Sequence, residues 1–175
     1  MNLANKITLT RLFMVPVFMV SMYLLPETSP VPLIIFSVAA LTDALDGYVA
    51  RHYNMITTFG KFVDPLVDKI LVLSAFCLML ERQALAGWIL VIIVARELII
   101  TGFRTIAVER GITIAASPLG KIKTISQMLA IVVYFLSLMV PSLAGLYRFL
   151  IYFAMVATVV SGLDYLIKNK NVLEG

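Results

Sequence analysis

Four of the ten acidic residues in this 175-residue chain, Asp43, Asp46, Asp64 and Asp68, lie between positions 43 and 68. All four sit in or beside apolar runs. Carboxylates among apolar residues are costly to desolvate, and four together repel one another, so the cluster calls for a compensating charge. The chain has one His and one Cys, which leaves oxygen as the available ligand type. Oxygen-only ligands favour a hard divalent cation such as Mg²⁺ or Mn²⁺. Asp43 and Asp46 stand at i, i+3 and share a helix face, which Gly47 and Ala50 continue nearly bare. Gly60, Asp64 and Asp68 recur every four residues, again on one face. Arg51 and Lys61 flank the cluster. Two carboxylate pairs, a Gly/Ala cleft and basic flanks are the parts of a two-metal site for a phosphorylated substrate, in which one carboxylate can also serve as general base. Spacing alone leaves two other readings open: structural acids paired with Arg and Lys, and the site of a divalent-cation transporter.

The elements that must position these residues follow from composition. The chain is 61% hydrophobic and 14% charged, with a mean hydropathy of +1.00. Disorder and a water-soluble globule are both excluded by that balance. An integral membrane protein remains, and at about 20 residues per span the chain has room for six or seven crossings. Six are read: 7–25, 32–52, 61–81, 85–107, 119–140 and 143–167. Pro26 to Pro30, Glu81-Arg82-Gln83, Glu109-Arg110-Gly111 with Ser117-Pro118, and Pro141-Ser142 mark the turns. The first span lacks a small-x-small cleavage site and is read as retained. Lys6, Arg11, Arg51, Lys61, Lys69, Arg96, Arg104, Arg110, Lys121, Lys123, Lys168 and Lys170 fall toward one side, against Arg82 and Arg148 on the other. That asymmetry predicts a cytoplasmic N-terminus and C-terminus. Basic residues at the ends of apolar runs do not make the water-facing patch that nucleic acid needs, so no nucleic-acid partner is expected. A single Cys, Cys77, excludes an intramolecular disulfide and reads as apolar packing.

From Asp43 to Asp68 the residues spell D-x-x-D-G-x-x-A-R-x8-G-x-x-x-D-x-x-x-D. The pattern resembles the motif of the CDP-alcohol phosphatidyltransferases, complete at every fixed position, and the six-span layout is similar to theirs. The resemblance implies one all-α membrane domain over 1–175, six transmembrane helices, and an active site at the cytoplasmic side of the bundle. It implies attack of an alcohol on the β-phosphorus of a CDP-linked lipid, with CMP leaving. Asp43, Asp46, Asp64 and Asp68 would hold two divalent cations, Mg²⁺ or Mn²⁺, and Asp68 would also take the proton from the acceptor. Asn5, Thr8, Gly47, Ala50, Arg51 and Gly60 would shape the CDP site. The resemblance also implies a homodimer in the cell membrane.

Further segments resemble those family members that use sn-glycerol 3-phosphate as acceptor and CDP-diacylglycerol as donor. They are Asn5-x-x-Thr8-x-x-Arg11, Gly60 to Leu66, Ala95-Arg96-Glu97 with Thr101-Gly102-Phe103-Arg104, and Gly120-Lys121-Ile122-Lys123-Thr124. A phosphorylated acceptor needs its own cationic pocket, and Arg104, Lys121 and Lys123 are the candidates to bind its phosphate. Inositol phosphate and phosphatidylglycerol remain alternative acceptors. Glu97, Thr101 and Arg104 share one helix face at i, i+4, i+7. Arg96 and Glu97 lie deep enough to form an internal ion pair, and Asp164 is expected to pair with Lys168.

Overall fold

The computed structural model describes residues 3–52, 58–112, 114 and 117–172, with side chains described for 10–42, 66–67, 69–112, 114 and 117–172. Among these residues the chain is helical throughout, with no strand. Six helices follow one another: α1 (Leu3–Leu24), α2 (Val31–His52), α3 (Thr58–Glu81), α4 (Gly87–Glu109), α5 (Pro118–Met139) and α6 (Ala144–Lys168). Short 3-10 turns occupy Pro141–Leu143 and Lys170–Val172. Each of the six apolar runs falls on one helix.

The ends are set by local chemistry. Ser117 caps α5 by accepting from the Gly120 N–H at 3.0 Å, and Pro118 follows at the first helical position, where its missing N–H costs nothing. At the end of α4, Gly111 takes a φ of +71°; its N–H reaches the Val108 carbonyl and the Ile112 N–H that of Ala107. This paired pattern closes a helix through one left-handed residue. Gln83 does the same after α3, at a φ of +58°, with Gln83 bonded to Leu80 and Ala84 to Met79.

Short connections make the helices alternate in direction. α5 and α6 form the most intimate pair; α1 packs on α2 and α3, α4 on α6, and α3 on both α4 and α5. Phe18, Phe36, Phe76, Met79, Ile93 and Ile131 fill the centre. Phe18 stands 5.9 Å from Phe36 and edge-on to Phe135 at 6.0 Å, which locks α1, α2 and α5 together. A second cluster, around Ile100, Phe103, Ala107, Tyr165 and Val172, joins α4, α6 and the final turn. There Arg110 Nη1 donates to the Val172 carbonyl at 2.6 Å.

The outside is as apolar as the inside. Phe13, Leu24, Val91, Leu98, Phe149 and Ile167 all face outward. So does Cys77, a free cysteine on the exposed, apolar face of α3. Among the described residues, two stretches, Pro118–Met139 and Pro141–Lys168, are long and apolar enough to cross a membrane; Thr10–Leu24 and Val31–Thr42 are shorter apolar helical runs. α4 carries Arg96, Glu97 and Arg104 inside an otherwise apolar helix.

Candidate active site

Alternating helix directions gather the C-terminal halves of α2, α4 and α6 and the N-terminal halves of α3 and α5 at one end of the bundle. Asp43 and Asp46 are on α2, Asp64 and Asp68 on α3. Asn5 and Thr8 are on α1, Gly47, Ala50 and Arg51 on α2, and Gly60 on α3. Beyond this helical backbone, these ten positions lie outside the residues whose side chains are described.

What is described at that end is a cavity of about 510 Å³ between α3, α4, α5 and α6. Among the described residues, five basic side chains line it, Lys69, Arg96, Arg104, Lys121 and Lys123, against one acid, Glu97. Lys69 is the residue after Asp68 on α3, so the cavity opens one residue along the helix from that aspartate. Arg104, Lys121 and Lys123, singled out by sequence, all border this same space.

The five cations are held differently. Lys123 is 6% exposed and bonded through Nζ to Glu97 Oε1. Arg96 reaches the same oxygen with Nη1 at 3.2 Å and donates through Nη2 to Ser161 Oγ at 3.2 Å. Lys69 Nζ lies 3.9 Å from Glu97 Oε2 and donates to Thr101 Oγ1, which itself donates to the Glu97 carbonyl at 2.6 Å. The internal pair expected of Arg96 and Glu97 is therefore present, and it is part of a larger cluster. Breaking a buried pair by removing one partner costs about 3–5 kcal/mol, so the buried Lys123–Glu97 contact holds the cluster together. Arg104 is tethered by neutral contacts instead: Nε donates to the Tyr165 hydroxyl at 3.2 Å and the guanidinium sits 5.8 Å from that ring. Neither Arg104 nor Lys121 has an acidic partner among the described residues.

Several contributors were not singled out by sequence. Ser161 and Tyr165 stand at i, i+4 on α6, and Gly162 between them leaves room for Arg96: a Cβ there would fall 3.0 Å from Arg96 Cγ. Gln127 Nε2 donates to Thr158 Oγ1 at 3.0 Å, closing the cavity's inner end between α5 and α6. A polar stripe at 158, 161 and 165 is the feature that could have disclosed this face. The i+4 pair on α6 is present, with Lys168 Nζ 2.7 Å from Asp164 Oδ1.

A sequence model of the CDP-alcohol phosphatidyltransferases matches residues 1–160. The chain belongs to this family. Among curated relatives, a CDP-diacylglycerol–glycerol-3-phosphate 3-phosphatidyltransferase of Bacillus subtilis is 38% identical over 99% of this chain and 97% of its own length. A probable phosphatidylglycerophosphate synthase of Mycobacterium tuberculosis is 40% identical over 94% of this chain and 79% of its own. A Haemophilus influenzae CDP-diacylglycerol–glycerol-3-phosphate 3-phosphatidyltransferase is 40% identical over 74% of this chain and 73% of its own.

Proposed function

We propose that this chain transfers the phosphatidyl group from CDP-diacylglycerol to sn-glycerol 3-phosphate, giving phosphatidylglycerophosphate and CMP. The observation that carries the reading is the cavity beside α3 that Arg104, Lys121 and Lys123 border together, in a chain alignable nearly end to end with a relative named for that reaction. A phosphate dianion needs cationic partners, which Arg104 and Lys121, without an acidic partner among the described residues, can supply, whereas a neutral acceptor does not.

The family is divalent-cation dependent, and the donor set fits: four aspartates on two consecutive helices, in a chain with one His and one Cys. Asp43, Asp46, Asp64 and Asp68 would hold two ions, Mg²⁺ or Mn²⁺. When bound, these supply neutralisation of the pyrophosphate charge. Asp68 accepts the proton from the acceptor hydroxyl as its oxygen bonds to the β-phosphorus; the bond from that phosphorus to the bridging oxygen breaks, and CMP departs. Asn5, Thr8, Gly47, Ala50, Arg51 and Gly60 shape the CDP site. Arg104 clamps the acceptor phosphate and Lys121 adds a point charge at the cavity's exposed edge, while Lys123 acts from its buried side.

The domain is a single six-span bundle over 1–175. Its helices run 22 to 25 residues, about 33–38 Å at 1.5 Å per residue, enough to cross a hydrocarbon core of about 30 Å. The outward apolar side chains, including Phe13, Leu98 and Phe149, then face lipid. Trp88 and Tyr152, 6.4 Å apart, and Tyr23 occupy the end away from the cavity, as aromatic residues do at a membrane interface. Twelve basic residues toward the cavity end against two support a cytoplasmic position for that end and for both termini. A homodimer is the assembly the family resemblance supports.

An acceptor panel tests the proposal. Purified protein, CDP-diacylglycerol and Mg²⁺ or Mn²⁺ are incubated with glycerol 3-phosphate, inositol phosphate, phosphatidylglycerol or an uncharged alcohol, and CMP release is followed. Release with glycerol 3-phosphate, abolished by EDTA, is expected. Release only with another acceptor overturns the assignment.

A further inference from the structure

Glu97 is the one buried acid among the described residues, at 8% exposure, and the transfer reaction gives it no chemical task. We infer that Glu97 is a positioning residue of the acceptor site. It fixes Lys123 and Arg96 as a cationic floor, against which Arg104 and Lys121 align the acceptor phosphate. The inference deepens the proposed function and rests on it.

Three observations carry it. First, one carboxylate meets three cations: Oε1 takes Lys123 and Arg96, and Oε2 faces Lys69 at 3.9 Å. A pair serving stability alone would match charges one to one, and well-packed apolar residues often serve a bundle equally well. Second, the cluster divides the cavity's cations. The three touching Glu97 are partly or fully covered, while Arg104 and Lys121 share the cavity without an acid among the described residues. A lysine stem is flexible and its ammonium folds onto whatever anion is near. Tied to Glu97, Lys123 keeps one position whether or not substrate is present. Third, the cluster is braced from two walls of the cavity: Thr101 on α4 orients Lys69, and Ser161 on α6 orients Arg96, with Gly162 giving it room. A floor held in place before the ligand arrives loses less on binding.

The experiment measures KM for each substrate, and kcat, by CMP release with the full-length protein in detergent. Glu97→Gln is expected to raise KM for glycerol 3-phosphate about tenfold, the size of one charge-assisted hydrogen bond, while KM for CDP-diacylglycerol moves less than about twofold. Glu97→Asp keeps the charge and the folded cluster but draws it back by one methylene, and an intermediate, about threefold, rise selective for the acceptor is expected. Because Glu97 acts through its cationic partners, adding Glu97→Gln to Lys123→Met is expected to raise the acceptor KM less than it does alone. Equal shifts of both KM values, a fall in kcat alone, or additive effects in the double variant overturn the inference and leave a structural ion pair. Wild-type protein that releases no CMP with glycerol 3-phosphate overturns the proposed function instead, and that control is read before any variant.

Discussion

At the scale of single residues, the proposal separates chemistry from recognition, and two substitutions read them apart. Asp68→Asn keeps the shape of the side chain and removes its basicity. Turnover is expected to fall by about 10²–10⁴, the usual contribution of a general base, with CDP-diacylglycerol still bound. CMP release together with a binding titration checks this, and near-normal turnover rejects the base assignment. Arg104 is the opposite case: its guanidinium rests on Tyr165 and meets no described acid, so its charge is free for an anion. Arg104→Ala is expected to raise KM for glycerol 3-phosphate about tenfold or more, and KM for CDP-diacylglycerol little, since a charged hydrogen bond contributes about 1.5–3 kcal/mol. Equal effects on both substrates argue against an acceptor role. Arg104 could be picked out in the sequence because a basic residue inside an apolar run is conspicuous. The attachment of Lys123 to Glu97 could not, because the two residues are 26 positions apart and it is the packing of α4 and α5 on the same neighbours, α6 and α3, that brings them together.

Elements were easier to read than their partnerships. Long apolar runs separated by Pro, Gly and short polar turns define six helices with little ambiguity. Their ends shifted by a few residues where backbone geometry, not hydropathy, decides: α3 starts at Thr58 and α4 at Gly87, the latter after Gln83 has closed the preceding helix in a left-handed conformation. The approach of α4 to α6 was not legible, because a glycine matters there through the side chain of another helix. Gly162 leaves the space that Arg96 occupies. Gly162→Ala places a methyl group 3.0 Å from Arg96 Cγ and is expected to push that side chain off Ser161, at a cost of about 1–3 kcal/mol in stability. The acceptor KM should rise and the CDP-diacylglycerol KM should hold. A lower midpoint of thermal unfolding in detergent, together with that KM split, checks it; wild-type behaviour in both would show that α6 yields without disturbing the cluster.

For the molecule as a whole, charge and hydropathy act on different questions. Apolar side chains cover the outside as well as the inside; on the proposed reading they face lipid, and the sidedness of Lys and Arg sets which way the bundle faces. The far end is tied by interactions that need no substrate: Arg82 donates to the Met22 carbonyl and lies 3.7 Å from Glu27, and the Tyr23 hydroxyl donates to Glu81 at 2.6 Å. These contacts clasp the α1–α2 turn to the end of α3, and on the proposed function it is the opposite, cavity end that meets water-soluble glycerol 3-phosphate and releases CMP. The two ends should therefore differ in accessibility across a sealed membrane. With Cys77 replaced by Ser, a cysteine introduced at Ser29 in the α1–α2 turn is expected to react with a membrane-impermeant maleimide added to intact cells. One introduced at Asn169, after α6, should react only once the membrane is opened. Labelling of Asn169→Cys from outside would invert the bundle and put the anionic acceptor on the wrong side of the membrane for a cytoplasmic supply.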